Sequence, residues 1–513
     1  MADVILKNAN IITMDAGKPR AEAAAISGDK ISIVGEKTDV EAAAGVGARI
    51  IDCGGRTVVP GFNDAHLHLF SLMKKLIGVD LSPAAVCSVE DIKQVIRRKA
   101  ENTPRGDWIS GTDFNEFYLK EKRFPTRWEI DEVAPDHPVV LSHRSLHACV
   151  LNSPALKLAG IDMETEEPPG ATIERDLVTG EPNGILYEML NDIRGRVVPP
   201  MTDAGLDEAA SLVNTLFLSS GITTFQEATF RNDPTRWQTV RQLTGAGKLK
   251  SRAIMMPGYG SWRDFQEMGL VSGSGDNRLK VGPVKVMVTH TYDKFNPPPD
   301  ELKRLALDCH QAGFQLTFHA EEADVIETVI ETLEYVNGIQ TVVESRHRIE
   351  HCAECTPHLL QRLPGLSVVI VNQPPFIYYS GERYLATVES DTIPWLYRIR
   401  SPLESGLVVA GSSDTPVVPC NPLVGIYAAV TRKTASGQDF QPGEAVSPHQ
   451  ALRMYTVNAT YASFEEDIKG SITPGKLADM VVLSDDPTRV PPEQIKDIRV
   501  EMTIIGGEVV WEG

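Results

Sequence analysis

The stretch Thr57-Val58-Val59-Pro60-Gly61-Phe62-Asn63-Asp64-Ala65-His66-Leu67-His68 is an apolar run that closes on two histidines one residue apart. Residues two apart in an extended chain point to the same side, so His66 and His68 can present two imidazoles to one ion. A His-x-His pair can also arise by accident in a core or on a surface. At the end of an apolar strand, and preceded by Asp64, it predicts metal ligation.

The sequence places the first strand at Thr57 to Phe62, and seven further apolar runs read as strands. They are Ile222 to Phe225, Ala253 to Met256, Val284 to Val288, Gln315 to Phe318, Arg348-Ile349, Ser367 to Val371 and Leu407 to Ala410. Helical periodicity follows His319, where Val325, Ile326, Val329, Ile330, Leu333 and Val336 mark one face. Eight such strands with intervening helices predict an α/β fold, a TIM-type (β/α)8 barrel. The interval from Leu76 to Leu206 is too long for one crossover and carries its own patterns, such as Val89 to Ala100 and Pro138 to Leu141. It reads as an α/β insertion after barrel strand 1, roofing the strand ends. Both chain ends hold short strands, including Val4-Ile5-Leu6, Lys30 to Gly35, Ala478 to Leu483 and Val500 to Trp511. Each end is too short to build a two-layer domain alone, so the two are expected to form one small β-sandwich. The resulting division is 1–56 and 470–513 for the sandwich, 57–75 for strand 1 and the histidine motif, 76–206 for the insertion and 207–469 for the remaining barrel.

With 513 residues the chain has room for a large catalytic domain with appended units. The formal charge of −19 repels phosphate backbones, and no Lys/Arg cluster interleaved with aromatics offsets it, which argues against a nucleic-acid partner. No stretch approaches the roughly 20 apolar residues of a membrane helix. Met1-Ala2-Asp3-Val4-Ile5-Leu6-Lys7 lacks the basic and long apolar regions of an export signal. Seven scattered cysteines fit a reducing compartment. These features predict a cytoplasmic protein acting on a small molecule, with a symmetric homodimer as the commonest assembly.

Further ligand candidates fall at barrel-like intervals: Lys285 to His319 is 34 residues, His319 to His351 is 32, and His351 to Asp414 is 63. Each interval equals one or two βα units, and each residue lies in or just after an apolar run, where a barrel gathers functional groups on its C-terminal face. Imidazole and carboxylate suit zinc and other divalent first-row ions. Such an ion lowers the pKa of bound water to roughly 7. Asp414 can then act as general base and pass the proton to a leaving amine. Lys285 has two readings. It is a snorkelling or salt-bridged lysine, or it is carboxylated on Nζ and becomes an anionic ligand able to bridge two ions.

The chain resembles the amidohydrolase superfamily, specifically the YtcJ-like branch known as amidohydrolase family 3. The marks are Pro60 to His68; Pro125-Thr126-Arg127; His147 followed by Leu151-Asn152-Ser153-Pro154-Ala155-Leu156; Val284-Lys285-Val286; Phe318-His319-Ala320; His347-Arg348-Ile349-Glu350-His351; Gly411-Ser412-Ser413-Asp414-Thr415-Pro416; and Gly475 to Met480. The resemblance covers nearly the whole length. It implies metal ligands at His66, His68, His319, His351 and Asp414, a carboxylated lysine at Lys285 and the general base at Asp414. It also implies that the insertion helps enclose the substrate. Three stretches depart from the family: Val286-Met287-Val288-Thr289-His290-Thr291-Tyr292-Asp293 after Lys285, where Asp-Gly is common; Ala320-Glu321-Glu322-Ala323-Asp324, where Gly-Asp is frequent; and Gln373-Pro374-Pro375-Phe376, where a histidine is usual. The pocket polarity is therefore expected to differ.

Arg144 and His147 are candidate substrate contacts, since the family pattern turns His147 to substrate; a capping or buried histidine is the alternative. His290 is an additional pocket candidate, more suited to supporting the ligands than to binding metal. Cys352 and Cys355 read as core thiols. Ser447-Pro448-His449-Gln450 reads as a helix start, so His449 is assigned no chemistry. The leading expectation is hydrolysis of a carbon–nitrogen bond in an N-acyl, N-formyl or cyclic amide by metal-activated hydroxide, with one or two zinc ions or another divalent first-row metal. A non-hydrolytic reaction at the same site (isomerisation, decarboxylation, dehydration or cyclisation) is the first alternative. A non-catalytic scaffold is the second, and the filled ligand positions argue against it.

Overall fold

The structure, a computed structural model, describes residues 2–291, 294–340 and 344–513. The chain divides into two compact units, residues 1–68 with 214–513, and residues 69–213.

In the first unit, Phe62–Leu67, Ile222–Glu227, Arg252–Met255 and Leu279–Val281 form one parallel sheet. A second parallel sheet comprises Val284–Met287, Leu316–Ala320, Arg348–His351, Val369–Asn372 and Val408–Gly411. A helix follows each strand of this second sheet: Pro299–Gln311, Ala323–Ile339, Pro357–Arg362, Pro375–Thr387 and Pro422–Thr431. Strands covered by helices are buried on both faces, which is why they are written as nearly continuous apolar runs. In Ala323–Ile339 the predicted stripe of Val325, Ile326, Val329, Ile330, Leu333 and Val336 is buried.

Backbone hydrogen bonds link the two sheets on both sides. Near one edge, Lys285 N–H donates to Pro257 O at 2.8 Å and Tyr259 N–H to Lys285 O at 3.0 Å. Near the other, Asp414 N–H donates to His66 O at 2.9 Å and His68 N–H to Thr415 O at 2.8 Å.

The single strand expected at Thr57 to Phe62 is in fact two. Thr57–Pro60 pairs with Met480–Leu483 and Asn10–Ile12, while the strand in the parallel sheet begins at Phe62 and contains His66. The break falls at Pro60-Gly61. Proline cannot donate to a ladder, and a Cβ on Gly61 would sit 2.1 Å from Thr223 Oγ1, so only glycine allows this approach.

The chain ends build two more sheets. One runs Lys30–Gly35, Ala23–Ser27, Ala2–Lys7, Ala44–Asp52; the other runs Glu508–Glu512, Val500–Ile505, Met480–Leu483, Thr57–Pro60, Asn10–Ile12, Arg20–Ala21. Leu6, Ile26 and Ile31 of the first share a buried cluster with Ile11, Val58, Met480, Val482 and Ile504 of the second.

The second unit is built on a six-stranded mixed sheet, ordered Thr172–Arg175, Pro182–Tyr187, Ala148–Leu151, Val139–His143, Ile109–Phe114, Val79–Asp80. Its period-2 alternation separates two cores. Val139, Leu141, Val150 and Ile185 pack on one side with the helix residues Ile92 and Ile96. Val140, Cys149, Leu151 and Leu186 pack in the other cluster with Leu156, Leu190 and Ile193. Among the described residues, no helix is long and apolar enough to cross a membrane.

Candidate metal centre

His66 lies near the end of its strand and His68 just beyond it, His319 and His351 lie at or next to the ends of theirs, and Asp414 follows Val408–Gly411 by three residues. Lys285 lies inside its strand, as the run Val284 to Val288 predicts. It is the second residue of Val284–Met287, and the register pairs it with Thr317, two residues below His319. Its length carries the charge onward: the chain is 2% exposed, and Nζ has no hydrogen-bond partner among the described residues.

Two groups of donors converge. One ligand atom each from His66, His68 and Asp414 lie within 4.8 Å of one another, as do one each from His319, Glu321 and His351. The ring centroids of His66 and His351 are 5.0 Å apart, so the groups adjoin. Asp414 Oδ1 is 3.1 Å from His68 Nε2 and 3.5 Å from His66 Nε2. A tetrahedral ion with bonds of roughly 2.1 Å separates its donors by about 3.4 Å, and these contacts match that spacing. Asp414 Oδ1 is buried without a well-formed hydrogen bond, as expected of an atom whose partner is an ion. Imidazole and carboxylate are the donor types that borderline divalent ions take, so the residues present fit such a metal.

Proton positions favour the same use. Glu350 Oε2 accepts from His66 Nδ1 at 2.5 Å, and Gln373 Oε1 accepts from His351 Nδ1 at 2.8 Å. Gln373 is fixed in that sense because its amide nitrogen donates to Ser412 Oγ and Val371 O. His68 Nδ1 is 3.0 Å from Thr229 Oγ1. With Nδ1 engaged, each of these rings keeps Nε2 for a ligand role. Glu350 is itself held by Arg348 Nε at 2.8 Å and by the Thr317 hydroxyl. Burial works against its ionisation, but Arg348 and His66 hold its pKa well below the ordinary carboxylate value.

Burial lowers the His66 pKa to about 3, aided by Lys285, which keeps the ring neutral. Burial also lowers that of Lys285 to about 8, against the pull of Glu350 and Asp414. Burial alone would raise Asp414, yet His68, whose Nε2 lies 3.1 Å from Oδ1, and the other nearby imidazoles lower its pKa below the usual range. Asp64 moves the other way, raised to about 7 by burial although it accepts from Ser413 and His66 backbone N–H groups. His351 (φ 69°) and Asp414 (φ 59°) are left-handed non-glycine residues, a strain that collects at functional sites.

The other sequence candidates are not members of the two donor groups. His290 pairs through Nδ1 with the Asp324 carboxylate and stacks on Phe295 at 4.2 Å, outside both donor groups. Arg144 and His147 belong to the second unit, where His147 Nδ1 donates to Glu188 Oε1 at 2.8 Å. Cys352 and Cys355 are buried, free and hydrogen-bonded to each other. Ser447 caps its helix in a capping box with Gln450. Sequence reasoning missed Glu350, Gln373, Thr229 and Glu321. For Glu350 a signal existed, since Arg348 and Glu350 are two apart on a strand and so share a side that an apolar core would have filled.

A buried set of imidazoles and carboxylates at the ends of parallel strands defines a metal-dependent hydrolase. Residues 49–511 match the sequence profile of the amidohydrolase family. The chain is 31% identical to the N-substituted formamide deformylase of Arthrobacter pascens, over 100% of this chain and 99% of that one. It is 26% identical to the putative amidohydrolase YtcJ of Bacillus subtilis, over 90% of each. A metal-dependent hydrolase of Pyrococcus horikoshii superposes with a TM-score of 0.78 at 22% identity, covering 96% of this chain and 99% of that one, so the fold is of the TIM-barrel type found in metal hydrolases. The chain belongs to the amidohydrolase family, in its YtcJ-like branch.

Proposed function

We propose that this enzyme hydrolyses the carbon–nitrogen bond of an N-acyl or N-formyl amide, or a related cyclic amide, with N-substituted formamides as the first substrates to try. His66, His68, His319, His351 and Asp414 would hold zinc or a similar divalent ion, with Lys285 as a carboxylated lysine beside them. The single observation that carries the reading is the buried Asp414 Oδ1, aimed at His66 and His68 without a well-formed hydrogen bond. The same reading takes the two parallel sheets as one closed (β/α)8 barrel and the two terminal sheets as its β-sandwich. For substrate contact we propose His290, Arg144 and, on the family pattern, His147. Cytoplasmic placement and a homodimer complete the proposal, the former supported by seven free cysteines.

When bound, the ion supplies Lewis acidity, which lowers the pKa of water to about 7 and polarises a carbonyl oxygen. The protein's own groups do the rest. Asp414, ionised against its burial, takes a proton from the attacking water and delivers it to the amide nitrogen as the carbon–nitrogen bond breaks. The water oxygen ends on the acyl carbon, and the products are a carboxylic acid and an amine. Glu350 and Gln373 hold the His66 and His351 protons on Nδ1 throughout.

Asp414→Asn keeps the shape and removes the base. Turnover of an N-substituted formamide is expected to fall by about 100- to 10,000-fold, with circular dichroism unchanged. Full activity in this variant would refute the general-base role. Turnover in 18O-water separates hydrolysis from isomerisation or dehydration, because only hydrolysis puts solvent oxygen into the acid product.

A further inference from the structure

We infer that Glu321 is a metal ligand outside the family's six-residue pattern, completing with His319 and His351 a second three-donor group for a divalent first-row ion. The inference rests on the metal-centre reading above. Glu321 follows Leu316–Ala320 by one residue and is two beyond His319, so the extended backbone turns both side chains the same way. Its Oε1 lies 3.5 Å from His319 Nε2, and one donor from each of the three residues falls within 4.8 Å of the others. That is the edge length a tetrahedral ion with bonds of roughly 2.1 Å would impose, about 3.4 Å. Two imidazoles and one glutamate leave an open position for water or substrate, as in three-ligand catalytic zinc sites.

No lysine or arginine among the described residues forms an ion pair with Glu321, and the basic group within pairing distance is the His319 imidazole. Its side chain is 35% exposed while that of His319 is 11% exposed, so the carboxylate stands at the rim and reaches inward. Beside it the buried Lys285 Nζ also lacks a hydrogen-bond partner, and Glu321 is among the carboxylates whose field acts on it. Buried polar atoms without hydrogen-bond partners, Lys285 Nζ and Asp414 Oδ1, therefore lie close to this donor group. Each group carries one carboxylate, Asp414 in the first and Glu321 in the second, which divides the neutralising charge between two cations. His66 and His351, one from each group, have their ring centroids 5.0 Å apart, so ions in the two groups would be neighbours.

The experiment is a metal titration and needs no substrate. Chelator-stripped protein is titrated with zinc, and bound zinc is counted per chain by elemental analysis after gel filtration. Cobalt(II) replaces zinc in parallel, and its visible spectrum reports the geometry of each site. Wild type is expected to bind two ions and Glu321→Gln one, with loss of one cobalt spectral component. Glu322→Gln, which changes the adjacent carboxylate, is expected to keep two. Two ions at wild-type affinity in Glu321→Gln would overturn the inference, as would equal loss in Glu322→Gln, which would reduce the effect to general acidity. A wild-type protein that binds one ion, unaffected by Glu321→Gln, would also overturn it. Failure of wild type to bind any ion would instead sink the metal-centre reading itself. Circular dichroism of each variant confirms that the count is taken on folded protein.

Discussion

Glu350→Gln separates the structural and the metal-orienting work of one buried carboxylate. Glu350 is fully buried and touches Arg348 Nε at 2.8 Å, the Thr317 hydroxyl, and His66 Nδ1 at 2.5 Å. Glutamine has the same shape but one acceptor oxygen in place of two. If Arg348 and Thr317 keep that oxygen, the amide N–H faces His66 Nδ1. The imidazole must then carry its proton on Nε2, the atom aimed at Asp414. Arg348 is 0% exposed, and depriving a buried charge of its partner costs about 3–5 kcal/mol. Because Gln226 and the Ala65 carbonyl still accept from this guanidinium, the low end, about 3 kcal/mol, is expected. The tautomer change should weaken metal affinity by about 10- to 100-fold, equivalent to about 1.4–2.7 kcal/mol. Urea denaturation of chelator-stripped protein reads the first effect, and zinc competition against a chelator of known affinity reads the second. An unchanged denaturation midpoint would refute the buried-pair argument. A destabilised variant that binds zinc as tightly as wild type would refute the tautomer argument.

His347 accepts from Leu316 N–H through Nδ1 and adjoins His310 Nδ1 through Nε2, each at 3.0 Å, and burial, aided by His310, lowers its pKa from 6.5 to about 3. Between those values the unfolded chain binds the proton and the folded one does not, so stability falls as pH drops from about 6.5 toward 3, by at most about 5 kcal/mol. His347→Asn keeps an acceptor for Leu316, and wild type should lose about 2 kcal/mol more than this variant between pH 7 and pH 5; parallel urea midpoints at the two pH values would count against the linkage. Asn152 is fully buried, accepts from Val139 and Ala155 N–H and donates to the Ala134 and His137 carbonyls. Asn152→Ala removes these four hydrogen bonds and should destabilise the second unit by about 2–4 kcal/mol, seen as faster proteolysis within residues 69–213; unaltered cleavage kinetics would contradict it.

The parallel strands from Ile222 onward, apart from Leu279–Val281, were legible to within a few residues because a parallel sheet buried on both faces is written as short apolar, often β-branched runs at βα intervals. Thr57 to Leu67 was not. Its two halves have similar propensity, and only tertiary pairing sends Thr57–Pro60 to Met480–Leu483 and the rest to Ile222–Glu227. The turn between them is enforced by Thr223, more than a hundred and fifty residues away, through the space that Gly61 leaves empty. Lys285 is a further case: its run was legible as a strand, but its register with Thr317, two residues below His319, is set by tertiary pairing alone.

At the metal centre, local patterns disclosed donors and hid their partners. His66-Leu67-His68 announces two ligands because strand alternation is a local rule. The proton on His66 is decided by Glu350, 284 residues away in sequence, that on His351 by Gln373, and the setting of His68 by Thr229. Those partners are polar residues in apolar strands or loops, with no spacing rule to connect them to the histidines they hold. They nevertheless control which ring nitrogen is free, and a donor with its proton on the wrong nitrogen is not a ligand. Glu321 is the complementary case: the strand rule that relates His66 to His68 also relates His319 to Glu321, so its position was readable from sequence. What was not readable was its exclusion from ordinary ion pairs, which only the surrounding fold supplies.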